Sequence, residues 1–508
     1  MRAMSKYVLA LDFGHGGGKA LFLDLDSGKR FLAYKGWEYY SPEGDSYRKE
    51  FAPDEFFNIL CNLVKNLVKK HKIKPDDVVG ISTACMRHAY VFLDSNGKEV
   101  YAGPNTDIRG LFYQDVVEQD VKLDLYKITG QGPALMYMPA RLLWFKNEKP
   151  EVFKTIHYGL NIGDWLIYRL SGVIATEPSL ASATMFFDLE KKNWLSEVLN
   201  VLGLNSVNLP EIHQAGEQIG ELSSDVAKKM NLKQGIPVVM GGGDTHLGLL
   251  ACSGLNDGDI GVVAGTSTPI MMVLSKPVVD EKKRIWTGCH VLKDKWVLEG
   301  NAQMGGLSYQ WLKNNFEVLI EKKDTAVYAY MEKLATKVPA GSDDMIASLG
   351  AEIFNLNEIN IVRPAIFTFQ QPGHPMNTSP ATFGHFIRAT LENISYAIRG
   401  NIEQMEEISN KKSDELKVTG GMSRSNLWLE ILSGVTGKKI KAAKAEDGTL
   451  MGCAMCAAVG SGIYHDFEDA VKDIVEFKKD VNPDHEQVEI YNKGYNNWKE
   501  WYDRIGKL

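Results

Sequence analysis

The sequence predicts an α/β protein of two lobes with a ligand cleft between them, and three observations carry that expectation. A glycine-punctuated turn follows an apolar run in each half of the chain. Strand and helix patterns are mixed through both halves. At 508 residues the chain exceeds what one hydrophobic core usually holds. A hydrophobic content of 44% and a charged content of 24% are those of an ordinary globular enzyme.

The first turn, 11–20, follows the apolar run 7–10 and contains Gly14, Gly16, Gly17, Gly18 and Lys19. Glycine lets a backbone come close to a phosphate and aim successive N–H groups at it. The spacing is one residue short of a Walker A loop, and Ala20 stands where that loop needs a hydroxyl, so that motif is rejected. Asp12 ends a buried strand, where a carboxylate needs a partner such as a hydrated metal ion. A plain hairpin is the alternative, since 21–26 resumes a strand. The second turn, 264–268, holds Gly265 and Thr266 after the apolar run 260–263.

The remaining elements follow from periodicity. Phe56, Phe57, Leu60, Leu63, Val64 and Leu67 share one face of a helix over 53–72. Strands are expected at 78–83 and 89–93, with a hairpin turn at 95–98. Helices are expected near 110–119, 139–148 and 161–170, the last ended by Ser171-Gly172. A buried strand at 236–240 runs into Gly241-Gly242-Gly243-Asp244. Strands follow near 260–264, 269–274, 296–300 and 416–419, with helices at 305–315 and 380–409. The turn-rich stretch 253–259 suggests lobes of 1–253 and 254–508. No tandem repeat is visible, and 466–508 reads as a finishing amphipathic helix.

Net charge is −7 with no long basic run, which argues against a nucleic-acid partner. No apolar stretch is long enough to span a membrane, and a strand begins by about residue 7, leaving no room for a signal peptide. The six cysteines are scattered, and Cys453 and Cys456 read as helix packing. These features suit a reducing, cytoplasmic setting.

Asp244 is the leading candidate for chemistry. Three glycines put a carboxylate at the C-terminal end of a strand, where it can take the proton of a hydroxyl attacking a phosphoryl group. The alternative is a helix N-cap. His246 suits packing or substrate shaping, with a second base as the alternative. Gly421, Met422 and Asn426 lie in a strand-to-helix turn that can receive an adenine ring; an ordinary serine-capped turn fits as well. Met86-Arg87-His88 and Asn105-Thr106-Asp107-Ile108-Arg109 offer donors and acceptors to a polyhydroxylated molecule, or form a salt-bridge cluster.

These pieces, in this order over about 7–465, resemble the FGGY family of carbohydrate kinases. Asp12 to Lys19 is similar to the family's first phosphate motif, with His15 where threonine is usual. Gly265-Thr266-Ser267 is similar to the second, Gly242-Gly243-Asp244 to the catalytic motif, and Gly420 to Asn426 to the adenosine motif. Residues 445–454 resemble the helix start that follows it. Residues 161–172 and 139–144 also match.

The resemblance implies a two-lobed actin-like ATPase (ribonuclease H-like) fold with the active site in the interdomain cleft. It implies ATP-dependent phosphorylation of a small polyhydroxylated substrate, with Asp244 as base. Gly14, His15, Lys19, Gly265, Thr266, Gly306, Gln310, Gly421, Met422 and Asn426 would bind nucleotide, and Asp12 and Asp244 would hold Mg²⁺. Met86, Arg87, His88, Asn105 and Asp107 would bind substrate. The substrate loops lean toward members acting on 4,5-dihydroxypentane-2,3-dione, with a xylulose-like keto-sugar or polyol as the alternative. An actin-like ATPase and a non-catalytic sugar sensor are the readings from other classes, and a homodimer is compatible.

Overall fold

The computed structural model describes residues 6–318, 325–359, 361–370, 381–445, 447–478 and 480–507. Its frame is two six-stranded sheets built on one plan. In the first, Tyr7–Gly14, Gly17–Asp24 and Arg30–Gly36 form an antiparallel meander. Val78–Cys85 and Pro237–Gly243 extend it in parallel, and Gln218–Glu221 closes the edge. In the second, Ile260–Val263, Pro269–Leu274 and Trp296–Asn301 form the meander, with Trp286–Cys289 at its edge. Glu415–Thr419 and Lys439–Ala442 then pair in parallel. The two glycine turns are thus equivalent: each is the tip of the first hairpin of its sheet.

Most of the expected helices form for the expected reasons, while the stretch expected at 110–119 divides into a 3-10 turn, Arg109–Tyr113, and a short helix, Gln114–Asp120. Pro53–His71 starts at a proline, carries Asp54 and Glu55 in its first turn and lysines in its last, and ends at Lys72 with φ +54°. In Ile162–Ser171 the Asp164 carboxylate accepts from the Asn161 backbone N–H at 2.9 Å, a reciprocal cap, and Gly172 ends the helix at φ +82°. An inserted layer between the first sheet's parallel strands carries a three-stranded sheet with a core of its own, including Tyr90, Phe92, Tyr137 and Trp144.

Two elements depart from the sequence reading. The tail forms two helices instead of one, Phe467–Ile474 and His485–Ile505; in the second, Tyr491, Tyr495, Trp498 and Tyr502 enter the second core, and Trp498 Nε1 donates to Asn393 Oδ1 at 2.8 Å. Helix Gly448–Gly460 crosses back to lie on strands Tyr7–Gly14, Val78–Cys85 and Pro237–Gly243. It packs there against helix Asp244–Ala251. The small residues allow it: a side-chain carbon at Gly452 would lie 2.1 Å from Leu247 O. Cys453 and Cys456 are buried in this contact. No helix among the described residues is long and apolar enough to cross a membrane.

Candidate active site

Asp12 faces Lys19 across the first hairpin. Lys19 Nζ lies 3.6 Å from Asp12 Oδ2, while Asp12 Oδ1 is buried without a hydrogen-bond partner. Burial raises the Asp12 pKa; Lys19 opposes the shift and Asp447 adds to it. Asp447, just before helix Gly448–Gly460, also acts on Lys19, so three carboxylates (Asp12, Asp244 and Asp447) surround this lysine electrostatically. The hairpin tip is open: His15 is exposed, and its Nδ1 pairs with Asn105 Oδ1 at 3.0 Å. Gly17 and Gly18 serve packing instead. A side-chain carbon would lie 2.5 Å from Lys35 O at the first and 2.7 Å from Leu60 Cδ2 at the second.

Asp244 opens helix Asp244–Ala251 at the end of strand Pro237–Gly243. Its Oδ1 accepts from the Thr245 N–H at 2.8 Å, and its carbonyl accepts from Thr449 Oγ1 at 3.0 Å. Burial pushes its carboxyl up to about 6, with Arg87 opposing and Asp12 adding. That is the range of a general base working near neutrality.

Arg87 stands beside Asp244. A side-chain carbon on Gly243 would touch both Arg87 Cδ and His246 Nδ1 at 3.2 Å. Arg87 Nη2 donates to Glu299 Oε1 of the second sheet, joining the lobes, while its Nε is buried without a partner. His88, with φ +61°, lies 4.9 Å from the Tyr137 ring and 5.7 Å from the Trp286 ring across the lobe boundary. His88 Nε2 and His246 Nε2 are likewise buried and unpartnered. Burial, reinforced by Arg87, holds both imidazoles neutral. Gln131 closes this end: it donates to Thr287 O at 2.7 Å and accepts from the Tyr137 hydroxyl at 3.0 Å.

Two residues expected to bind substrate do other work. Met86 is 3% exposed, in the first lobe's core, because its backbone N–H continues the sheet to Phe13 O. Asp107 is fully buried. Tyr101 Oη donates to it at 2.7 Å and Arg109 Nε at 2.8 Å, so both oxygens are committed to an internal network.

The second lobe holds a cavity of about 530 Å³. Gly265, Thr266, Gly306, Gln310, Gly421 and Met422 line it, six residues drawn from three separate segments. Asn426 does not: it is the exposed first residue of helix Asn426–Thr436. Tyr309, Tyr328 and Glu332 also line it. The two tyrosine rings lie 5.4 Å apart. Glu332 accepts from Ser425 Oγ at 3.0 Å and from the Leu427 N–H at 2.9 Å, which fixes the turn under Met422.

Sequence reasoning missed these three residues together with Glu299, Tyr137, Trp286, Gln131 and Asp447. Glu299 alone left a local signal, as a carboxylate within an apolar strand. Glu446, part of the helix-start resemblance, lies outside the described residues.

The family models for the N-terminal and C-terminal domains of the FGGY family of carbohydrate kinases match residues 7–251 and 261–461. An autoinducer-2 kinase of Enterobacter sp. strain 638 is 27% identical over 98% of this chain and 95% of its own length. Two solved structures share the fold. A gluconate kinase from Lactobacillus acidophilus superposes with TM-score 0.84 at 21% identity, covering 99% of this chain and 98% of its own. A xylulose kinase from Rhodospirillum rubrum superposes with TM-score 0.84 at 22% identity, covering 98% and 99%.

Proposed function

This chain belongs to the FGGY family of carbohydrate kinases, and from that premise we propose how it works and on what. It transfers the γ-phosphoryl group of ATP to a hydroxyl of a small linear polyhydroxylated compound. We take the best acceptor to be 4,5-dihydroxypentane-2,3-dione, because the relatives named autoinducer-2 kinase align with this chain nearly end to end.

Asp244 supports the reading most directly. A carboxylate raised to about 6, next to Arg87 and the phosphate hairpin, is mostly ionised at neutral pH yet basic enough to take a hydroxyl proton. The adenosine half of ATP fits the cavity at Gly421 and Gly306, and its phosphates run between Gly265-Thr266 and the Gly14–Lys19 hairpin. The acceptor lies among Arg87, His88, Asn105 and Asp244, with its hydroxyl on Asp244. Lys19 and the backbone N–H groups of both hairpins offset phosphate charge. Contacts from both lobes hold the reacting atoms together and exclude water.

The residues present fit Mg²⁺, since Asp12 Oδ1 is buried without a partner and Asp244 and Asp447 add negative charge around it. Bound through Asp12 and Asp244, Mg²⁺ would neutralise the β- and γ-phosphate oxygens. We further propose units of 1–253 and 254–508 and a cytoplasmic setting; six free, buried cysteines support the latter.

The test is ADP release with Mg-ATP across C3–C6 polyols, keto-sugars and 4,5-dihydroxypentane-2,3-dione. Strong turnover of the dione is expected. Turnover of a xylulose-like ketose or polyol instead would retain the kinase and move the acceptor. Acceptor-independent hydrolysis, or none, would overturn the reading.

A further inference from the structure

The charges at the acceptor end of the cleft form a closed account. Arg87 is 9% exposed at its side chain and Glu299 is 2% exposed, and they pair directly across the lobes. Behind His88, Arg141 and Arg109 are buried beside two carboxylates. Arg109 pairs with Asp107 at 2.7 Å and Glu50 at 2.6 Å. Arg141 donates to Asp107 O at 2.6 Å and to Tyr101 Oη at 3.1 Å. That quartet is neutral in sum. His88, packed against the Tyr137 and Trp286 rings, is uncharged. With Asp244 ionised as the base, Arg87, Glu299 and Asp244 together carry one net negative charge.

The atoms left without partners fit neutral oxygens. Arg87 Nε, His88 Nε2 and His246 Nε2 are all buried and unsatisfied. An uncharged imidazole can donate to a carbonyl or accept from a hydroxyl, according to its tautomer. Arg87 and His246 flank Gly243, next to Asp244, so the Arg87 Nε donor and the imidazole nitrogens can serve the oxygens of a ketose or polyol. A carboxylate would find no unmatched cation there among the described residues, and would meet Asp244 and Glu299 as like charges.

We propose that Glu299 is a specificity-determining residue: by neutralising Arg87 across the lobes, it restricts the acceptor to uncharged polyhydroxylated compounds, the dione, ketoses and polyols alike, and excludes sugar acids. The proposal rests on the kinase reading above and narrows its substrate class. It is a case of selection by repulsion, in which the rejected ligand meets an uncompensated charge.

The experiment uses the full chain with matched pairs, xylitol with xylonate and sorbitol with gluconate. It reads equilibrium binding by calorimetry without nucleotide and product formation with Mg-ATP. Wild-type protein should bind and phosphorylate the neutral members, with the acids disfavoured by about a hundredfold or more. E299Q should narrow that ratio by about tenfold or more, through a gain for the acids as well as any loss for the neutral compounds. E299D, which keeps the charge, should hold the ratio and control for a variant that folds poorly. Equal use of acid and neutral partners by wild-type protein, or a folded E299Q with an unmoved ratio, would overturn the proposal, as would binding of neither class. Selective binding of the neutral members without any phosphorylated product would uphold the charge selection and contradict the kinase reading.

Discussion

His15 Nδ1 and Asn105 Oδ1 meet at 3.0 Å, so the tip of the first hairpin is tied to the loop that follows strand Glu99–Gly103 of the inserted sheet. The side chain that replaces the family's usual threonine therefore links the loop proposed to hold phosphate to a loop proposed to hold the acceptor. His15→Ala and Asn105→Ala should each lower kcat/KM, and the double variant should cost less than the sum. The expected coupling is about 1 kcal/mol, measured by a double-mutant cycle. Strict additivity would separate the two loops.

The pH dependence follows from Asp244. Its folded pKa is raised to about 6 by burial, so the base is protonated below that value. The kcat profile should fall about tenfold per unit below pH 6 and flatten above it. Stability runs the other way. A carboxyl that ionises less readily when folded costs the folded state at pH above 6, and that cost vanishes below the unfolded pKa near 4. Asp244→Asn should therefore raise the Tm at pH 8 relative to wild type, with the gap closing by about pH 4 in thermal scans.

Gly421 has no atom within 4 Å of where a side-chain carbon would sit, yet it lines the second-lobe cavity proposed to take the nucleotide. Gly421→Leu should fold normally and obstruct the adenosine end. The expected outcome is an ATP KM raised by about tenfold or more with the Tm within a few degrees of wild type. A collapse in Tm would mean that the turn itself needs glycine.

Gly452 is the opposite case. Gly452→Ala forces a carbon onto Leu247 O, 2.1 Å away, in the contact between the helix that begins at Asp244 and the helix that crosses back to the first sheet. A destabilisation of about 3 kcal/mol is expected by denaturant titration. A neutral result would show that this helix pair moves apart freely.

The strands Tyr7–Gly14, Pro237–Gly243 and Ile260–Val263 were legible because buried apolar runs broken by glycine leave little else to be. The helix over 53–71 was legible from its one apolar face. Asp107 and Met86 misled because a residue next to a ligand loop looks alike whether it faces the cleft or the core. Only the packing of Tyr101 and Arg109 around the Asp107 carboxylate decides that. Nothing in the sequence separates Gly17 and Gly18 from the other glycines of the first turn, yet Gly17 answers to the neighbouring strand and Gly18 to the helix that carries Leu60. Glu299 sits 212 residues from Arg87, and no local pattern announces a pair formed across two lobes. Of the cavity tyrosines, Tyr309 lies in the expected helix Gly305–Glu317, whereas Tyr328 comes from a helix, Thr325–Ala335, that the periodicity did not single out.

The most direct test of the account compares Asp244→Asn with wild type in two assays on one preparation: single-turnover phosphorylation of the best acceptor and fluorescence titration with Mg-ATP. Loss of the base should lower the rate by about two to four orders of magnitude while the ATP Kd stays within about threefold. A folded variant that keeps its rate within about threefold would contradict the role of Asp244 as the base.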